Sequence, residues 1–247
     1  YKRRLPGQAR PTPEPGVPLP GEQVLIDGDV EAAGGDYFAL GACEVDRSGR
    51  LVAFAVDRRG DERFDVSVRR IEDGAVLDDA VRGVGYGLVW TADGEHVVYT
   101  RVDDAWRPHE VWLHHLGSDP SADRLLLREP DERFWLSIGE SRDGRWLVVS
   151  SAAKNTSEVW LADLTSLADA GSLTDAGSLA DAGSVTDAGS LADAGGVEGE
   201  RRALPAFTSV AGRTEGVEYE VEPAGPGIFL THNETSPDFG VDWAPLG

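Results

Sequence analysis

Two histidines flank a glutamate in an order that resembles a zinc-binding helix. In the HExxH motif the histidines lie four residues apart on one helical face, where both can reach the same metal ion. Here His109 and His114 lie five residues apart, and the apolar residues 111–113 between them favour a strand. Residues five apart on a strand point to opposite faces. We therefore predict neither a metal nor a cofactor here, and we expect both histidines to pack near the solvent.

A serine two residues after a glycine, Ser141, is the second candidate for a catalytic residue. The nucleophile of an α/β-hydrolase lies in a GxSxG turn, because the strained backbone between strand and helix needs glycine on both sides of the serine. Residues 139–143 read GESRD, which lacks the second glycine and is typical of a strand entering a turn. No other serine has glycine at both positions, so we predict no catalytic residue in this chain.

Two turns of nearly the same sequence place carboxylates beside an arginine. Residues 60–64 read GDERF, and residues 130–134 read PDERF. Such turns are usually solvated, with local ion pairs that contribute little to stability. Alternatively, their acidic residues could line a pore or an interdomain face. Both interpretations stay open.

Composition narrows the class of partner. The formal net charge is −21 at pH 7, and no basic stripe is visible. Nucleic-acid binding needs clusters of lysine and arginine that displace counterions, so we exclude that partner and favour a cationic ligand. No window approaches about 18 apolar residues, so no membrane span is predicted. The single cysteine, Cys43, cannot form an intrachain disulfide and is expected to be a small buried hydrophobic residue.

The elements that would hold these residues repeat along the chain. Polar turns that carry a glycine each precede a short apolar strand, and the glycines lie 45, 50 and 81 residues apart. They are Gly49, Gly94, Gly144 and Gly225. The last interval contains 30 residues of low complexity, and subtracting them leaves 51. Repeats of about 40 to 50 residues with four strands each are typical of β-propeller blades.

A second marker keeps the same phase. A valine lies 17, 17, 15 and 16 residues after the successive turn glycines, at Val66, Val111, Val159 and Val241. That offset fits the third strand of each blade. The two markers together predict an all-β fold, a partial β-propeller with about three complete four-stranded blades and most of a fourth.

The predicted boundaries follow from these markers. Residues 1–22 are expected to form a proline-rich connector and residues 23–247 the propeller. The hexad repeats at residues 166–195 are expected to form an extended loop between the third and fourth strands of blade three. The predicted strands are 37–44, 51–56, 64–71 and 75–81 in blade one; 87–90, 97–102, 110–116 and 124–128 in blade two; 134–141, 146–151, 158–164 and 201–205 in blade three; and 217–221, 228–231 and 239–244 in blade four.

Several collinear stretches resemble the oligopeptidase B group of the prolyl oligopeptidase family. They lie at residues 37–42 (YFALGA), 60–63 (GDER), 106–117 (WRPHEVWLHHLG), 129–135 (EPDERFW) and 156–161 (TSEVWL). The resemblance extends from the first residues to the end of the chain. It is interrupted by the hexads, where the family has a short turn.

This resemblance implies a seven-bladed propeller that caps an α/β-hydrolase domain with a Ser, Asp, His triad. It implies a cytoplasmic enzyme that cuts short peptides after Arg or Lys and uses no cofactor. The chain resembles only the first half of that propeller, so no catalytic position is carried over and the chain alone is predicted to be inactive. Its partners would be basic oligopeptides and the C-terminal hydrolase domain of the full-length protein. In this family the propeller excludes folded proteins and admits peptides, and we assign a substrate-gating or interdomain role to Arg107, Glu132 and Arg133.

Two other interpretations stay open. The chain could be a free-standing propeller that serves as a non-catalytic binding scaffold, since fold alone dictates no chemistry. It could also be a truncated copy without activity. The chain begins with Tyr1 and contains no methionine, which suggests a piece of a longer protein, and an unclosed ring predicts exposed strand edges.

Overall fold

The computed structural model describes residues 2–4, 14, 17, 22–171 and 207–246. Strand β1 (Lys2–Arg4) pairs antiparallel with β2 (Glu22–Val24), and the short helix α1 (Gly28–Glu31) follows. Most of the predicted connector at residues 1–22 lies outside the described residues. Its extended form therefore stays a prediction.

Four antiparallel sheets then follow one another, each built from consecutive strands. Their strands are β3 (Ala39–Val45), β4 (Leu51–Asp57), β5 (Asp65–Arg70) and β6 (Val76–Asp78) in the first sheet; β7 (Val84–Trp90), β8 (His96–Val102), β9 (Pro108–His115) and β10 (Arg124–Arg128) in the second; β11 (Trp135–Glu140), β12 (Trp146–Ala152), β13 (Ser157–Asp163) and β14 (Thr208–Ser209) in the third; and β15 (Tyr219–Ala224), β16 (Gly227–His232) and β17 (Gly240–Pro245) in the fourth.

This succession confirms the predicted all-β partial propeller. Spatial order follows chain order within every sheet, as propeller blades require. The first three strands of each blade lie within a few residues of their predicted bounds. Blade three differs at its fourth strand, because β14 is the strand that pairs with β13. The segment predicted for that strand, residues 201–205, lies outside the described residues.

The turn glycines recur because the backbone is left-handed at these positions. Gly49, Gly94 and Gly144 have φ values of +71°, +71° and +72°. This conformation costs a residue with a side chain about 1–2 kcal/mol. In each turn a polar side chain three residues before the glycine accepts a hydrogen bond from the backbone N–H two residues after it. The pairs are Asp46 with Leu51 at 2.7 Å, Thr91 with His96 at 3.2 Å, and Ser141 with Trp146 at 2.9 Å.

The core of the first three blades lies between sheets, and the second strands of blades one and two, β4 and β8, are buried on both faces. Successive side chains of a strand point to opposite faces. On β4, Ala53 packs with the cluster shared by blades one and two, whereas Phe54 packs with Ile26 on the other side. On β8, Tyr99 joins the cluster shared with blade one and Val98 the cluster shared with blade three. Burial on both faces explains the nearly continuous apolar sequence of these strands.

Helix α2 (Leu164–Gly171) follows β13 and differs from the predicted extended loop. Leu164, Leu167 and Ala168 recur at helical spacing and are buried, and the two leucines join the cluster shared by blades two and three. The first hexad, residues 166–171, is therefore helical because its apolar face has neighbours to pack against. The other hexads, residues 172–195, lie outside the described residues. None of the helices of the described part, which are α1, α2 and the short 3-10 helix Pro120–Ala122, has the length and apolar composition needed to cross a membrane.

Candidate functional site

Antiparallel strand order brings two kinds of loop to one end of the propeller. Loops joining the second and third strands of a blade lie at the same end as the connectors from one blade to the next. We call this end the upper face; it includes residues 58–64, 103–107, 129–134 and 210–218. The glycine turns lie at the opposite end. Both acidic turns and Arg107 therefore share the upper face.

The first acidic turn is joined to the neighbouring blade through Arg63. Its guanidinium donates to the Asp103 carbonyl at 3.1 Å and lies 4.8 Å from the centroid of the Trp106 ring. Trp106 Nε1 donates in return to the Asp61 carbonyl. Trp106 and Glu62 both have positive φ, at 60° and 55°, a backbone conformation that persists only where neighbours hold it. The two loops thus form a fixed joint between blades one and two.

Arg107 anchors the second acidic turn. Its side chain is buried, and Nη1 donates to the carbonyls of Glu129, Asp131 and Phe134 at 3.2, 3.1 and 3.2 Å. Its Nε donates to the Asp103 carboxylate at 2.9 Å. A guanidinium whose donors are committed to main-chain carbonyls positions a loop. The gating or interdomain role predicted for Arg107 stays a prediction, and its geometry is that of a residue acting through this turn.

Glu132 and Arg133 lie on that turn, and both are exposed. The Arg133 guanidinium pairs with Asp131 at 2.7 Å, while the side chain of Arg133 remains 72% exposed. This hydrogen-bonded pair lowers the pKa of Asp131 to about 2. Glu132 has no ion pair within the described part of the chain. The turn therefore presents an accessible negative charge, and the role predicted for these two residues stays a prediction.

A buried carboxylate joins the second acidic turn to the connector before blade four. Glu129 accepts hydrogen bonds from Arg213 and, at 2.6 Å, from Ser151 Oγ. Arg213 also lies 3.7 Å from the centroid of the Phe134 ring and 3.3 Å from the Glu158 carboxylate. Burial raises the pKa of Glu129, but these hydrogen bonds outweigh burial and hold it below its usual value. Sequence reasoning missed Arg213, because no local pattern marks a partner 84 residues away.

The prediction that His114 packs near the solvent is wrong. The residue is 2% exposed, and its ring nitrogens bond to Asp123 at 2.7 Å and to Asp78 at 2.9 Å. An ionised carboxylate only accepts hydrogen bonds, so two of them on one ring favour the imidazolium form, in which both nitrogens donate. Burial lowers the pKa of His114, but the two carboxylates raise it above its usual value overall. Strand β9 confirms the strand predicted around residues 111–113. The sequence did not indicate the burial of His114, because its partner Asp78 lies on β6 of blade one.

The first strands of blades one, two and three converge on a groove of about 300 Å³. Two carboxylates line it, Glu44 near the end of β3 and Glu140 at the end of β11. Arg47 donates to the Gly144 carbonyl and lies 3.7 Å from the Glu140 carboxylate. Partial burial raises the pKa of both glutamates, and the Glu140 charge adds to the rise at Glu44. The groove can therefore attract a cation.

Sequence reasoning missed this pair of glutamates, although a signal exists. Glu44 lies five residues before one turn glycine and Glu140 four residues before another, Gly49 and Gly144. A carboxylate at the end of a first strand in two repeats indicates a shared location near the propeller axis. To predict this location from the sequence, one must know which strand of each blade the glutamate ends, as well as the length of the repeat.

The candidate nucleophiles have structural roles. Ser141 is buried, donates to Asp143 at 2.6 Å and accepts from the Trp146 N–H, so it stabilises the turn that follows β11. Cys43 is half-buried against the cluster containing Phe54, and burial raises its pKa. Within residues 22–171 and 207–246, no three His, Cys, Asp or Glu side chains are grouped to hold a metal ion.

Comparisons with known proteins agree with this architecture. Residues 7–241 match the family model for the prolyl oligopeptidase N-terminal β-propeller domain. Protease 2 of Moraxella lacunata is 33% identical over 147 residues, which are 59% of this chain and 21% of that protein. Dipeptidyl aminopeptidase BI of Pseudoxanthomonas mexicana is 34% identical over 140 residues, 56% of this chain and 19% of that protein. The chain thus spans about a fifth of the length of these curated relatives.

Solved structures show the same fold. Oligopeptidase B from Leishmania major superposes with a TM-score of 0.76 at 24% identity, over 99% of this chain and 29% of that one. Oligopeptidase B from Trypanosoma brucei gives 0.72 at 25% identity over the same shares of the two chains. The match to the family model extends over nearly all of the four blades. The chain belongs to the prolyl oligopeptidase family and forms part of its N-terminal β-propeller domain.

Proposed function

We propose that this chain is the propeller part of a cytoplasmic serine oligopeptidase that cleaves short peptides after Arg or Lys. It admits basic peptides to a hydrolase domain that lies outside these residues. The observation that carries the proposal is the acidic groove between the first strands, where Glu44 and Glu140 face a space of about 300 Å³.

The electrostatics of the groove favour a cationic occupant. Raised pKa values mean that their surroundings oppose the charges of Glu44 and Glu140, and a nearby cation relieves that cost. The net charge of −21 extends the attraction over the whole surface. Such a field raises the rate at which oppositely charged ligands arrive, and salt weakens it.

The upper face supplies the surface that would meet the hydrolase domain. Its loops are charged, and its joints at Arg63, Arg107 and Arg213 hold their main chains in place. Interfaces between domains of one chain are more polar than the interfaces of obligate protein complexes. We assign the contact to Glu132 and Arg133, with Arg107 as the residue that positions their turn.

The test uses the complete coding product from which this chain derives. A short peptide with one arginine is compared with the same peptide carrying citrulline, which has the same shape without the charge. We expect hydrolysis after arginine, a preference that weakens with salt, and no cleavage of a folded protein. Glu44→Gln with Glu140→Gln should lower kcat/KM for the arginyl peptide about three- to tenfold, mainly through KM. Glu72→Gln with Glu234→Gln, both exposed in loops away from the groove, is the control for the loss of two charges.

Two results would overturn the proposal. A downstream sequence that ends in further blades, without a GxSxG serine, would favour the binding scaffold. A catalytic domain that cleaves arginyl and citrulline peptides equally would remove the specificity. The 247-residue chain itself should show no turnover of an arginyl ester.

A further inference from the structure

Two exposed tyrosines lie beside one acidic loop on the upper face, between blades one and two. Tyr37 is 46% exposed and Tyr86 is 56% exposed. A Cβ placed on Gly60 would lie 3.7 Å from the Tyr37 ring, and the Tyr86 ring centroid is 4.7 Å from that of Phe64. Glu62 lies on the same loop, between these two contact points. We call Tyr37, Glu62 and Tyr86 the aromatic notch.

The loop holds Glu62 in one backbone conformation while its carboxylate stays available. The buried Asp57 carboxylate accepts from the N–H groups of Arg59, Gly60 and Glu62 at 2.7, 2.8 and 2.9 Å. Glu62 has a φ of 55° and an exposed side chain. Its carboxylate has no hydrogen bond or ion pair within the described part of the chain. A fixed backbone with an unused charge is preorganised for a ligand.

Other aromatic rings of the upper face already carry an arginine of the chain itself. Arg63 lies over Trp106 at 4.8 Å, and Arg213 lies over Phe134 at 3.7 Å. No arginine lies over Tyr37 or Tyr86 within the described residues. A guanidinium stacks on an aromatic face and pairs with a carboxylate at once, because its charge is delocalised over a plane. The notch offers two aromatic rings for stacking and one carboxylate for pairing, and within the described residues no arginine of the chain occupies it.

Two carboxylates act on the Tyr86 hydroxyl at the notch. Burial raises the pKa of the Tyr86 hydroxyl, and Glu62, Tyr37 and Asp57 raise it further. Of these groups, Glu62 and Asp57 are carboxylates, and their negative charge would attract a guanidinium.

We propose that the aromatic notch binds the guanidinium of an arginine side chain within a peptide, between the Tyr37 and Tyr86 rings and the Glu62 carboxylate. This inference rests on the proposed function, in which basic peptides pass the upper face on their way to the hydrolase domain. It names the side-chain chemistry recognised there and three residues that no catalytic step requires.

The test measures binding rather than hydrolysis. The 247-residue chain is titrated by calorimetry with acetyl-Gly-Arg-Gly-amide and with the citrulline peptide of the same length. We expect the arginyl peptide to bind several-fold more tightly, with a difference that shrinks as salt rises. Glu62→Gln and Tyr86→Leu should each weaken arginyl binding about two- to fivefold and leave citrulline binding unchanged. Glu72→Gln, with the same change in net charge, should alter neither.

The outcomes separate this inference from the proposed function. Equal binding of the two peptides, or equal loss in Glu62→Gln and Glu72→Gln, would overturn the notch even if the complete coding product cleaves basic peptides. Selective binding that depends on Glu62, together with a complete product that does not hydrolyse peptides, would support the notch and refute the peptidase. Should Tyr86→Leu lower the unfolding midpoint, Tyr37→Leu provides the same comparison.

Discussion

The arginine side chains of the upper face have different structural roles, which depend on how deeply each is buried. Arg107 is buried and bonds to three carbonyls, so it fixes a loop. Arg63 links two blades through a carbonyl and a tryptophan ring. Arg133 is exposed, and its ion pair within the described residues is with Asp131 of its own turn. The sequence shows that arginines lie beside acidic turns, but burial separates these roles.

His114 shows why single residues were the hardest to predict. Its spacing from His109 favoured a strand over a helix, and β9 confirmed the strand. Its partners, Asp78 and Asp123, lie 36 and 9 residues away. Asp78 reaches the ring because blades one and two pack against each other. The spacing of residues in the sequence does not indicate that contact.

The His114 cluster predicts a definite dependence of stability on pH. The pKa of His114 is raised above 6.5 in the folded chain, so its contribution is complete below that value and is lost as pH rises through the folded pKa. Asp78 has a lowered pKa, and its contribution is lost as pH falls. Urea unfolding between pH 5 and about 9 should therefore show a free energy of unfolding that decreases on the alkaline side.

Replacing the histidine should remove that dependence. His114→Gln leaves two buried carboxylates without their cation, which should cost about 3–5 kcal/mol. His115→Gln changes the exposed neighbour and should retain both the stability and the pH profile. Parallel pH profiles for the unchanged chain and His114→Gln would contradict the imidazolium assignment.

Blade elements were predictable where local backbone chemistry fixes them. The turn glycines marked every first-to-second hairpin, because each needs a positive φ. Strands β4 and β8 were clear because burial on both faces makes them continuously apolar, whereas β12 and β16 are less completely buried. Helix α2 was not foreseen, since its apolar face forms a helix only where blades two and three offer a surface. Strand β14 is two residues long and carries no pattern of its own.

The repeated glycines give a prediction for the turns. At Gly94 an added Cβ would meet nothing closer than 3.5 Å, so the φ of +71° is the main obstacle to a side chain. Gly94→Ala should lower the free energy of unfolding by about 1–2 kcal/mol in urea titrations. Gly139→Ala is the control, because Gly139 lacks a positive φ and has open space around it. It should leave stability unchanged or raise it slightly; equal losses at both sites would contradict the backbone explanation.

Across the whole chain, the joints between blades change in character. Blades one, two and three share apolar clusters, whereas polar bonds are prominent where blade four meets blade three. Tyr219 accepts from the Val159 N–H at 3.0 Å and donates to the Gly212 carbonyl at 3.0 Å. Ser157 and Tyr219 bond to each other through two contacts, at 2.8 and 2.6 Å. Hydrogen bonds of Tyr219 and Ser157 therefore hold blade four to blade three.

One sheet face of blade four is apolar and exposed. Phe229 lies opposite Trp243, and Val241 lies two residues before that tryptophan, so all three point to the same side. Their exposed fractions are 46%, 53% and 66%. A contiguous apolar surface of this kind drives association in water. The 247-residue chain should therefore self-associate, with a mass in light scattering that rises with concentration.

Charges placed on that face should reverse the association. Val241→Lys with Trp243→Lys should shift the mass toward that of a single chain, because burying two ammonium groups between apolar surfaces costs more than the contact returns. Val30→Lys with Val76→Lys is the matched control, since Val30 is 68% exposed on α1, Val76 is 54% exposed on β6, and both lie outside this sheet. Equal effects from the control would show that added charge alone prevents association. A chain of constant single-chain mass at every concentration would show that this face does not drive association in water.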